Sequence, residues 1–311
     1  SALITTHSYD VTLDVRDAAD PAVAGYASTS TITFSADSGS ATFLDFISGG
    51  VDSVVLYGRL LDVGSVVDRD RIILEGLEAE NTVTVTGTAL YSRSGEGMHR
   101  FVDPADGECY LYTQYEPADS RRVFANFEQP DLKAEFTFHV IAPAAWEVAS
   151  NGVEEARTPV PGDPRAAQWD FATTKRMSTY ITTVLAGPYF KAEDHWGAKL
   201  DDGTRLDVPL ALFCRASLAG SFDADELFRL TKSGLAFFNE LFAYPYPWGK
   251  YDQAFVPEYN LGAMENPGLV TFTEKYVYAS RATDAQYQAR ANTLMHEMAH
   301  MWFGDLVTMN W

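Results

Sequence analysis

From its start to about Tyr180 the chain alternates apolar and polar residues in short runs, as in Val11-Thr12-Leu13-Asp14-Val15, Thr82-Val83-Thr84-Val85 and Phe136-Thr137-Phe138-His139-Val140. Successive side chains of a strand point to opposite faces, so a period of two describes half-buried strands rather than amphipathic helices. β-Branched residues crowd into this half, and the pairs Gly49-Gly50 and Asn151-Gly152 read as turns between strands. The expectation is an antiparallel β domain, of sandwich or saddle form, over residues 1–186.

Beyond Gly187-Pro188 the period changes. Leu227, Leu230, Leu235, Phe238 and Leu241 recur at helical spacing within Asp223 to Phe242, and Asp223 with Glu226 reads as a capping box at the start of that helix. Tyr244-Pro245-Tyr246-Pro247 must end it, because proline removes a backbone donor and restricts the residue before it. A strand is expected at Gln253 to Pro257, then a glycine-bearing loop, then a second helix from Thr283 to Phe303 stopped by Gly304. Residues 187–311 therefore read as a mixed domain, and the whole chain as α+β. With 311 residues, two cores are the natural division.

The formal charge of −20 arises from 43 acidic against 23 basic residues, which disfavours nucleic acid and anionic membranes as partners. No apolar run approaches the roughly 20 residues of a membrane-spanning helix, and Ser1 to Asp10 has no leader-like pattern, so a cytoplasmic location is expected. Cys109 and Cys214 lie far apart and outside any paired ligand spacing, and read as buried thiols.

The sharpest local signal is His296-Glu297-Met298-Ala299-His300, inside the second expected helix. Residues four apart stand one turn above each other, so both imidazoles can direct a nitrogen at one metal ion about 2.0–2.1 Å away. Glu297 is offset around the helix, where its carboxylate meets a metal-polarised water as general base and can return the proton to a leaving amine. His7, His99, His139 and His195 stand alone and are not assigned to the metal.

Ahead of that helix lies Gly262-Ala263-Met264-Glu265-Asn266. Further along, His300 runs into Met301-Trp302-Phe303-Gly304-Asp305-Leu306-Val307-Thr308-Met309. Far upstream stand Thr113-Gln114-Tyr115-Glu116 and Asp119-Ser120-Arg121-Arg122. With these motifs in this order, the sequence resembles the aminopeptidase N family of zinc peptidases across essentially its whole length.

The resemblance implies that a thermolysin-like catalytic domain opens after the β domain. It also implies one zinc ion on His296 and His300, with Glu297 as the catalytic base. Glu265 would bind the free α-ammonium of a peptide, with Gln114 and Glu116 of the β domain assisting. Two partly desolvated carboxylates repel each other unless a cation joins them, so such a pair would favour chain ends over internal bonds. Gly262 and Ala263 would let the loop backbone run beside the substrate like an added strand, and Met264 would line the first side-chain pocket. Asp119, Arg121 and Arg122 read as a surface ion cluster.

In that family the third zinc ligand, a glutamate, and the oxyanion-stabilising tyrosine lie beyond the position of Trp311. The ligand set on these 311 residues is therefore expected to be incomplete, and the piece alone inactive. The leading expectation is a zinc aminopeptidase acting on peptides with a free N-terminus. An epoxide-opening hydrolase on the same scaffold and a non-catalytic β-rich binding module are the alternatives; Ala263 argues against the former, and zinc retention tests the latter.

Overall fold

The computed structural model describes residues 3–200 and 203–308; Met309 and Trp311 lie outside them. The first half forms a large twisted sheet of the expected alternating strands. Its order is Glu147–Ser150, Val184–Gly187, Cys109–Gln114, Gly97–Val102, Glu80–Ser92, Gly25–Ala36, Ile4–Asp14, Glu135–Pro143, Asp163–Phe171 and Glu154–Val160. Pairing is antiparallel except between Ile4–Asp14 and Glu135–Pro143 and between Glu80–Ser92 and Gly97–Val102. Along Gly25–Ala36 every second residue is buried from Tyr26 to Phe34, as alternation requires. Tyr9 stacks on Phe136 at 4.7 Å between ring centres, and Phe124 closes over both Tyr9 and Phe138.

Gly49-Gly50 lies between the strands Thr42–Asp45 and Gly50–Leu56, with the chain bending at Gly49 and Gly50 already part of the second strand, which pairs along Glu80–Ser92. There Gly87 lets the Gly50 carbonyl pass where a Cβ would lie 2.5 Å from it.

At Pro188 the chain leaves this sheet for a second one, ordered Tyr189–Lys199, Arg205–Arg215, Tyr251–Val256, Leu269–Thr273 and Ala263–Met264. All six residues of Tyr251–Val256 are buried, which fits a central strand with parallel neighbours on both sides. The short strand Ala263–Met264 stands at the sheet's edge, antiparallel to its one neighbour.

Two long helices pack on each other beside this sheet, Ala224–Leu241 and Asp284–His300. The expected capping box at Asp223 does not form. Its carboxylate instead accepts a hydrogen bond from Arg290, while Glu226 pairs with Arg229. The other helix does start with a capping box, between Thr283 and Gln286. It stops at His300, short of the expected Phe303, because the following residues turn back and the amide of Asp305 donates to the His300 carbonyl. Gly304 takes φ +132° in that turn. Cys109 and Cys214 are buried free thiols whose pKa values burial pushes up to about 11 and about 12. Among the described residues, no helix is long and apolar enough to cross a membrane.

Candidate active site

The Asp284–His300 helix buries a single stripe, Arg290, Leu294, Glu297 and Met298, against the body of the protein. Glu297 therefore faces inward, while His296 and His300, one turn apart, open toward the surface. Their Nε2 atoms lie 3.1 Å from each other. The Nδ1 of His300 is 2.9 Å from the Phe303 carbonyl. A carbonyl only accepts, so Nδ1 carries the proton and Nε2 keeps its lone pair for whatever sits between the rings.

Ligand-type atoms of Glu265, Glu297 and His300 all fall within 4.8 Å of one another. Glu297 is 5% exposed. Burial first, then the negative charges of Glu265 and Glu116, push its pKa up to about 8. Burial and Glu265 likewise raise Glu116, against a smaller opposing effect of His300. Imidazole lone pairs converging beside mutually repelling carboxylates fit a divalent cation of the zinc type, which would relieve that repulsion.

The residues read from the second motif arrive from the neighbouring sheet. Ala263 and Met264 pair with Phe272 and Thr271, so the far side of this short strand is a free edge. Glu265 follows directly, half-buried, beside the helix. Met264 is 1% exposed, so the surface open to a ligand here belongs to Gly262, Ala263 and Glu265. Gln114 ends the strand Cys109–Gln114 of the first sheet and accepts a hydrogen bond from the buried hydroxyl of Tyr259; Glu116, two residues on, is exposed. Of the third motif, Arg122 pairs with Asp119 and approaches Glu96, as a partly exposed ion cluster does.

Sequence reasoning gave no role to Tyr259, Lys133 or Asp305. Lys133 of the first half donates to the Asp305 carbonyl at 2.8 Å, tying down the turn behind His300. The Asp305 carboxylate is wholly buried with no hydrogen-bond partner among the described residues, and burial, then Glu265, hold its pKa well above the carboxylate range. The bonds of Lys133 to Asp305 and of Tyr259 to Gln114 join residues more than a hundred positions apart, so no local pattern could have revealed them.

The sequence profile described as Peptidase family M1 domain matches residues 227–311, and that of the Peptidase M1 N-terminal domain matches residues 76–181. Aminopeptidase N of Streptomyces lividans is 46% identical over the whole of this chain, which spans 35% of that relative. Aminopeptidase N of Mus musculus is 32% identical over 79% of the chain, and aminopeptidase M1-A of Oryza sativa 35% over 75%; the chain spans 25% of each. Both profiles match in family order, and the relatives align with both halves. The chain belongs to peptidase family M1.

Proposed function

We propose that the chain carries the metal-binding helix and the N-terminus-binding loop of a zinc aminopeptidase. The observation that carries this reading is the convergence of His296, His300 and Glu297 with Glu265 beside a free strand edge. His296 and His300 would hold the ion through Nε2. When bound, zinc supplies a Lewis acid that polarises a peptide carbonyl and acidifies water.

The chain's own residues do the rest. A substrate's first residues lie along Ala263, hydrogen-bonding to the unpaired edge. Glu265, with Glu116 and Gln114 of the first half, receives the α-ammonium, whose positive charge offsets the repulsion by which Glu265 helps raise the pKa of Glu116. Glu297 accepts the proton of the attacking water and delivers it to the departing nitrogen. An internal peptide segment brings no cation to Glu265, which favours removal of one residue at a time. A catalytic zinc takes three protein ligands. We assign the third, with the oxyanion donor, to the part of the relatives' length that this chain does not span, so residues 1–311 alone should hydrolyse little.

The test is hydrolysis of an aminoacyl chromogenic amide by the complete protein, with its amine free or acetylated and with or without a chelator. The reading requires activity on the free amine alone, abolished by chelation. Equal turnover of the acetylated substrate would overturn it.

A further inference from the structure

We propose that His99 is a positioning residue for the substrate loop, locking Glu258 so that Ala263 and Glu265 stay aimed at the site; this rests on the aminopeptidase reading above. The loop leaves the strand Tyr251–Val256 and must reverse before Ala263. It does so through Glu258, whose φ of +50° is the left-handed conformation that side chains other than glycine rarely adopt. Such a conformation persists where its surroundings over-determine it. Here the surroundings are residues of the first half of the chain. Tyr259 donates its hydroxyl to Gln114, Asn260 donates to the Ser94 carbonyl, and Glu258 meets His99 at 3.0 Å.

His99 joins two of these ties. Its side chain is 1% exposed and its ring packs on Tyr112 at 4.9 Å. Nδ1 lies 3.1 Å from the Gly95 amide nitrogen. An amide N–H only donates, so Nδ1 must be bare and the proton must sit on Nε2, from which it is donated to Glu258. The neutral ring in this one tautomer satisfies both neighbours. Gly95, held by that bond at φ +83°, is also where Asn260 approaches, since a Cβ there would lie 2.3 Å from its Nδ2. The imidazole thus fixes the turn that receives Asn260 and the carboxylate that reverses the loop.

Protonation would put a second hydrogen on Nδ1, facing the Gly95 N–H, and break the first bond. The charged groups acting on the ring are Glu258 and Arg93, and Tyr112 faces it with an uncharged phenol. Burial, aided by Arg93 and opposed by Glu258, keeps the His99 pKa below the ordinary histidine value. The neutral form is therefore the folded one, so the seat is intact above the ordinary pKa and is lost as pH falls through the lowered one.

The test compares the complete wild-type protein with His99→Ala and His99→Gln. Glutamine keeps a donor for Glu258 and does not titrate. Amide hydrogen exchange at residues 258–262 and steady-state kinetics on a free-amine peptide are followed from about pH 8 to about pH 5. At neutral pH, His99→Ala should raise KM about tenfold with kcat within about twofold, and exchange at 258–262 should quicken. On acidification the wild-type KM should rise relative to that of His99→Gln, in step with exchange. Unchanged exchange and KM in His99→Ala, or the same pH response in wild type and His99→Gln, would overturn the assignment. Loss of the preference for free amines in wild type would sink the aminopeptidase reading instead, while the exchange rates would still decide whether His99 seats the loop.

Discussion

Arg215 Nη1 lies 2.6 Å from the carboxylate of Asp103, a residue with no solvent exposure, and its Nε lies 2.7 Å from Glu274. Asp103 follows the strand Gly97–Val102, whereas Arg215 ends the second strand of the other sheet, so this ion pair crosses between the halves that each contribute to the site.

Removing Asp103 takes one of two carboxylate partners from Arg215, which keeps Glu274, and leaves the Ser217 hydroxyl and the Ala105 amide without their acceptor. Asp103→Ala should cost about 1–3 kcal/mol in chemical denaturation at neutral pH. Burial alone would raise the pKa of Asp103. Hydrogen bonds from Ser217, the Ala105 amide and Arg215 outweigh it and hold the value below the carboxylate range. The unfolded chain then binds the proton more readily than the folded one. The stabilisation is complete above about pH 4 and disappears as pH falls through the depressed folded value. Wild type should accordingly lose melting temperature more steeply below about pH 4 than Asp103→Asn, and parallel acid limbs would contradict this.

A second crossing is made by backbone. Gly268 takes φ +78°, and a Cβ there would lie 2.2 Å from the Asn151 carbonyl oxygen. Asn151 itself donates to the carbonyls of Pro267 and Ile181. Gly162 has a similar φ of +81° but nothing within 4 Å of its would-be Cβ. Gly162→Ala should therefore report the cost of conformation alone, about 1 kcal/mol, and Gly268→Ala about 2–4 kcal/mol because backbone cannot step aside. Equal losses in urea denaturation would mean that the Asn151 contact yields freely.

The division between strand and helix was legible because alternation and the 3.6-residue period are local and each element buries one face. The pair His296 and His300 and the neighbouring Glu297 were legible for the same reason, since one helix sets their relation. What could not be read was decided by partners distant in sequence. Asp223 gives up its cap to Arg290, the helix stops at His300 once the Asp305 turn folds under Lys133, and Met264 sinks below the surface when Ala263 pairs with Phe272. His99, set aside as solitary, is wholly enclosed by residues of both halves of the chain.

Glu297→Gln keeps the shape and volume of the side chain but removes its ability to take a proton. Turnover by the complete enzyme should fall about 10²–10⁴-fold or more. In the proposed arrangement the two imidazoles, not Glu297, hold the metal, so zinc content should stay at the wild-type level. Parallel loss of metal and activity would make Glu297 a ligand rather than the base.

Glu265 stands close enough to His300 and Glu297 to bind either a metal or an ammonium, and its substitution separates the two roles. As an ammonium receptor its loss should raise KM for free-amine peptides about 10–100-fold, leave zinc in place, and narrow the ratio of free to acetylated substrate. Glu116 is more exposed, and water screens its pairing, so Glu116→Ala should raise KM only about threefold. Both variants should also lower the Glu297 pKa, because each removes a negative charge that now raises it. The measurements are metal analysis by emission spectrometry beside kinetics on paired free and acetylated substrates. Zinc lost from Glu265→Ala but not from Glu116→Ala would reassign Glu265 to the metal and leave recognition of the amine to Glu116.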